Sequence, residues 1–149
     1  MRTHRATLTV LLLLAALAAA VAGVRAEDEY GPEWKALQAR IDRLIAQFDK
    51  GGQEAVIALE QVVKIGKPAV LKLITATSSQ KPQRRMFAVT ALGRIRDGRA
   101  LHRVRFMVEH ENEPLVRIAA VRALARFGDN SGGARIVEYL SHTLVEVRR

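Results

Sequence analysis

Arginine is the residue through which this sequence could do chemistry. Residues 84–149 carry thirteen arginines, no lysine and seven acids. A guanidinium is a planar fork of donors that matches carboxylate and phosphate oxygens, which an ammonium does not. Arg122 and Arg126 are four residues apart and share one face of a helix. Arg94 precedes Arg126 by thirty-two residues, at the same place in a near-copy of the same segment. These three form a candidate solvent-facing row for the anionic groups of a partner. Arg117 stands about 140° and 180° round a helix from Arg122 and Arg126, at roughly 100° per residue. Arg85 is its counterpart thirty-two residues earlier. Arg85 and Arg117 are expected to be structural, binding turn carbonyls or acids between repeats, with Asp97 and Asp129 in the same structural class.

Other chemistries find no support. His102, His110 and His142 are far apart in sequence. Glu109-His110-Glu111 has ligand-type side chains, but adjacent helical residues point about 100° apart and do not converge on one ion. No Gly-rich phosphate loop, H-E-x-x-H or G-x-S-x-G occurs. Without a single cysteine there is no thiol chemistry and no disulfide framework. No catalytic residue, metal site or cofactor is therefore assigned, and the chain is not expected to be an enzyme.

The arginines need elements to position them. Residues 85–97 read RMFAVTALGRIRD and residues 117–129 read RIAAVRALARFGD, with seven of thirteen positions identical. An internal period of this size marks a stacked repeat. Apolar residues at three- and four-residue steps predict a helix over Pro32 to Phe48, with Trp34, Leu37, Ile41, Leu44, Ile45 and Phe48 on one stripe. Short helices follow over Glu54 to Ile65, Pro68 to Thr77, Pro82 to Ile95, Arg99 to His110 and Pro114 to Phe127. Others are read over Ala134 to Ser141 and from Leu144 onward. Expected inward residues include Val56 and Leu71. No run alternates as a half-buried strand would. One helix pair cannot bury its apolar face alone, whereas stacked pairs share a continuous core. Ala88, Ala91, Ala119, Ala120 and Ala123 are small enough for close helix approach.

Three segments, Gly66-Lys67-Pro68-Ala69-Val70, RMFAVTALGRIRD and VRIAAVRALARFGD, resemble HEAT repeats in the short form named for phycobilisome lyases. The resemblance covers roughly residues 53–149. It implies an all-α fold, a short α-solenoid of stacked antiparallel helix pairs. The second helices, which carry the echoed segment, are implied to line a concave face, with a scaffold or binding role. The place where the family carries an acid before its Val-Arg pair is held here by Ser79, Glu111-Asn112 and His142-Thr143. A regular ladder of Asp–Arg contacts between repeats is thus not implied. Nothing in these residues supports chromophore attachment.

The expected organisation is a cleaved signal peptide over residues 1–26, an acidic tail and amphipathic capping helix over 27–52, and the repeat domain over 53–149. Arg2 and Arg5, the apolar run Leu8 to Ala22 and Val24-Arg25-Ala26 make the three-part secretory pattern. An apolar run of this length is short for a membrane span. Export to the periplasm or outside the cell follows, with an uncleaved signal anchor tethering the chain to a membrane as the alternative. Residues 27–83 hold eight residues of each sign, so the basic excess sits on the echoed half. That half lacks the interleaved exposed aromatics that single-strand binding uses. Export also separates the chain from the genome, so nucleic acid is disfavoured. The expected function is a non-enzymatic scaffold that binds an acidic protein partner through the second-helix face. A structural or regulatory accessory subunit with no dedicated anionic site is the alternative. The sequence stops at Val147-Arg148-Arg149, early in a second helix. Ile136, Val137 and Leu140 would then be open to self-association or to a partner, unless the chain continues.

Overall fold

The computed structural model describes residues 31–129. The chain divides into two compact units, residues 1–37 and 38–149. Of the first unit, the described residues include only the opening turns of helix α1 (Pro32–Gln47). The second contains the rest of α1, then α2 (Gly52–Ile65), α3 (Val70–Ala76), α4 (Pro82–Ile95), α5 (Leu101–His110) and α6 (Pro114–Arg126). Strands are absent among the described residues. The expected signal peptide, the acidic tail and everything after Asp129 lie outside these residues, including the segment read as an open C-terminal end.

The period dictates the packing. Helices α2, α4 and α6 pack side by side, α2 against α4 and α4 against α6. The shorter α3 and α5 pack against α4 and α6 respectively, so α3/α4 and α5/α6 are successive helix pairs. Pro82 and Pro114 open α4 and α6, where the missing N–H costs no helical hydrogen bond. Short 3-10 turns, Lys67–Ala69 and Gly98–Ala100, lead into α3 and α5 where continuous helices were expected. In the second turn Asp97 caps the backbone N–H of Arg99.

Helix α4 is buried over most of its circumference: Phe87, Ala88, Val89, Ala91, Leu92 and Gly93 are all inside. That is the pattern of a helix flanked on several sides. At the α4–α6 crossing the backbones nearly touch. A Cβ added to Gly93 would lie 2.5 Å from both Cα and Cβ of Ala123. Ile41, Leu44 and Ile45 of α1 are buried, as is Phe48 just after it, which stacks on Phe87 of α4 at 5.5 Å between ring centroids.

Two expected core residues face outward. Val56 is 48% exposed and Leu71 62%, while Ala58 and Leu73 are fully buried. Ala55-Val56-Ile57-Ala58-Leu59 repeats the Ala-Val-x-Ala-Leu of Ala88 to Leu92 and Ala120 to Leu124. Val89 and Val121, at the place of Val56, are buried. The same motif therefore meets less protein in α2, which packs against a motif-bearing helix on one side only among the described residues.

The ends of α4 and α6 differ in one informative way. Arg96 follows α4 in the left-handed conformation, φ 54°, and Gly128 stands thirty-two residues later with φ 83°. An L side chain is strained in this region and glycine is not. Arg96→Gly should therefore raise stability by about 0.5–1 kcal/mol, the flexibility it adds to the unfolded chain offsetting part of the gain. Urea denaturation of the two proteins checks this.

Candidate functional site

The turns before the motif-bearing helices are held by arginine. Arg85, at the start of α4, donates from Nη1 to the carbonyls of Ser79 (2.9 Å) and Gln80 (3.2 Å) in its own turn. Its Nε and Nη2 fork onto the Glu111 carboxylate of the next turn at 2.8 and 2.7 Å. Arg117, at the start of α6, repeats the first contact six residues back, donating from Nε to the Glu111 carbonyl at 2.8 Å. Arg85 thus spans two successive repeats, and Arg117 clasps its own turn in the same way. Burial pushes the Glu111 carboxyl up. The Arg85 fork and the backbone N–H groups of Glu113 and Asn112 outweigh that and hold it below its ordinary value. Arg103 of α5 fastens the earlier turn, donating to Thr77 Oγ1 at 2.7 Å and to the Thr77 carbonyl at 3.1 Å.

Asp97 and Asp129 are also engaged. Asp97 accepts from the Arg99 side chain at 2.8 Å, and that side chain donates onward to the Lys67 carbonyl of the preceding repeat at 3.1 Å. Asp97 thus hydrogen-bonds toward the neighbouring repeat through Arg99. Hydrogen bonds from Arg99, side chain first and then backbone, pull its carboxyl down to about 2. Asp129, after α6, accepts from Arg105 of α5 at 2.8 Å.

The three arginines read as one outward row are not equivalent. Arg94 is half-buried and forks onto Glu60 of α2, with Nη2 2.7 Å from Oε2. Arg122 and Arg126 are exposed and make no ion pair among the described residues. They stand at one end of a groove of about 340 Å³ between α4 and α6. Its apolar walls include Met86 and Phe87 from α4 and Leu115 and Ile118 from α6, and Thr90 of α4 also lines it. Leu115 is 64% exposed. The spacing is that of one helix stripe: Leu115, Ile118, Arg122 and Arg126 follow at three- and four-residue steps.

The Glu109-His110-Glu111 run diverges. Glu111 turns onto Arg85, and the His110 ring stacks on Phe106 at 4.3 Å. No cluster of three His, Asp or Glu able to hold a metal ion occurs among the described residues. Two acids that matter were given no role from the sequence. Glu111 was aligned with Ser79, thirty-two residues earlier, at the family's turn-acid position, but was not assigned as the partner of Arg85. Asp49, which receives the Arg84 fork and Lys81, had no such signal, because it precedes the first motif. The hydrogen bond from Arg84 holds its carboxyl below the usual range.

A layer of echoed helices, backed by shorter ones and pinned at its turns by arginine, is the architecture of a helical repeat protein. The chain belongs to the HEAT repeats, whose family model matches residues 69–149, more than half of its length. HEAT repeats are commonly scaffolds for protein interaction and typically non-catalytic. No curated protein and no solved structure is similar enough to this chain to match it.

Proposed function

We propose that this chain is a non-enzymatic scaffold, exported from the cytoplasm, that binds an acidic protein partner on the face formed by α4 and α6. The supporting observation is the groove between these helices, apolar along its walls and ended by two arginines without carboxylate partners among the described residues. Such a site offers both parts of a stable contact, apolar area that leaves water and guanidinium forks that impose orientation. Arg122 and Arg126 are the principal contacts. Arg94 belongs to the same face, and its exchange of Glu60 for a partner's carboxylate costs little, because an exposed pair of this kind is worth about 0–1 kcal/mol.

Photo-crosslinking in intact cells tests the proposal, with the crosslinking residue at Ile118 and, as a control, at His102 on α5. One acidic protein is expected to crosslink reproducibly from Ile118 alone, to a chain that begins at Glu27. Changing Arg94, Arg122 and Arg126 together to Glu should reduce that product at least tenfold while leaving helicity unchanged. Equal crosslinking from both positions, unaffected by the triple change, favours the accessory-subunit reading without a dedicated anionic site. A chain still beginning at Met1 counts against export by signal cleavage.

A further inference from the structure

The Arg94–Glu60 pair shows what a carboxylate does on this surface, and the repeat shows where the next one is missing. Aligning Ala55 to Leu59 with Ala88 to Leu92 places Glu60 of α2 at the position of Gly93 of α4. The thirty-two-residue echo places Arg94 of α4 at the position of Arg126 of α6. Each arginine thus faces back toward the preceding motif-bearing helix. Arg94 finds Glu60 there, with its two nitrogens on the two carboxylate oxygens. Arg126 finds a glycine. No longer side chain can stand at residue 93, because its Cβ would overlap the Ala123 backbone. The close crossing of α4 and α6 is therefore incompatible with an acid at residue 93, the place from which Glu60 serves Arg94.

We propose that the partner supplies this missing acid: Arg126, helped by Arg122, is a carboxylate site completed by an Asp or Glu from a peptide segment. The same segment seats an aliphatic or aromatic side chain between Met86, Phe87, Leu115 and Ile118. The inference rests on the docking face proposed above and specifies what occupies it. The apolar anchor and the two arginines lie along one stripe of α6. Ile118 to Arg122 rises about 6 Å and Ile118 to Arg126 about 12 Å. A helical partner segment matches this with acids four and eight residues from its anchor. An extended one matches it with acids two and four residues away, at about 3.3 Å per residue. A polyanion without apolar groups satisfies the arginines but leaves the walls wet, so the occupant is an amphipathic acidic segment of a protein.

The test selects binders to the full chain from a library of random twelve-residue peptides. The selected peptides should share a large apolar residue followed or preceded at those spacings by Asp or Glu. A representative peptide should bind at least tenfold more weakly to Arg126→Glu. Thr90→Glu should weaken it similarly, because it presents a carboxylate to Arg122 and Arg126 from α4 and fills the site from within. Thr90→Gln, equal to Glu in size but uncharged, should weaken binding clearly less than Thr90→Glu, which separates the added charge from the added bulk. Peptides that are apolar without acids, or that bind Arg126→Glu as well as the parent, overturn the carboxylate site. If Ile118 crosslinking to a cellular partner persists in that case, the docking face survives and only this inference falls. Failure to select any groove-dependent peptide, together with loss of the Ile118 crosslink, overturns both.

Discussion

Replacing Gly93 by alanine should lower the stability of the protein by about 2 kcal/mol, although alanine is the better helix former. The new methyl carbon would start 2.5 Å from two atoms of Ala123, one of them backbone, so a flexible side chain cannot simply swing aside. Overpacking of a close-packed interior costs about 1–3 kcal/mol, and backbone contact puts this site at the upper end or beyond. Against it stands a gain of about 1 kcal/mol in helix propensity. Valine or leucine at the same place should prevent the α4–α6 crossing. Ala123→Gly should rescue Gly93→Ala only in part, since the Ala123 Cα remains in the way. The coupling between the two changes, read from a double-mutant cycle in urea, isolates the contact from propensity. An unchanged midpoint for Gly93→Ala would show that the helices are not this close.

Loss of the Glu111 carboxylate should be the other large effect. Its pair with Arg85 is nearly enclosed, with side-chain exposures of 17% for Arg85 and 8% for Glu111. Removing one member of a buried pair leaves the other charged and short of partners, at about 3–5 kcal/mol. Arg85 keeps two carbonyls in its own turn, so Glu111→Gln belongs near the lower bound, about 3 kcal/mol. Replacing both Arg85 and Glu111 by apolar residues should cost less than either single change. The pH dependence has a definite sign. The folded carboxyl is held below its ordinary value of 4.5, so its stabilisation is fully present above that pH. It is lost as pH falls through the folded value below 4.5. Stability measured from pH 6 to pH 3 should fall less steeply in Glu111→Gln than in the parent. Parallel curves would rule out this carboxylate as an acid-sensitive fastening.

How much of this was legible in the sequence follows from the range of each interaction. The echo at residues 85–97 and 117–129 marked two stacked helices, and Pro82 with Ile95 bounded the first as predicted. Both signals are local. The equivalence of Arg94 and Arg126 was readable, but their difference was not. It depends on residue 60 and residue 93, which align only once Ala55 to Leu59 is recognised as a third copy offset by one residue. Val56 was placed inward for a related reason. Periodicity reports which face of a helix is apolar, whereas the number of neighbours that cover it depends on position in the stack. Glu111 could be placed at the turn but not given its partner, because the arginine that claims it stands twenty-six residues away.

The arginine pairings also change what the chain's formal charge means in solution. Arg84, Arg85, Arg94, Arg99 and Arg105 each lie against a carboxylate of the same molecule. Their fields are largely cancelled within a few ångströms, well inside the roughly 8 Å over which physiological salt screens a charge. The net charge of +9, which is 24 basic less 15 acidic residues, therefore resides on cations outside these pairs, Arg122 and Arg126 among them. Ionic strength should consequently act on the speed with which an anion meets those outward cations, and less on the cohesion of the internally paired turns.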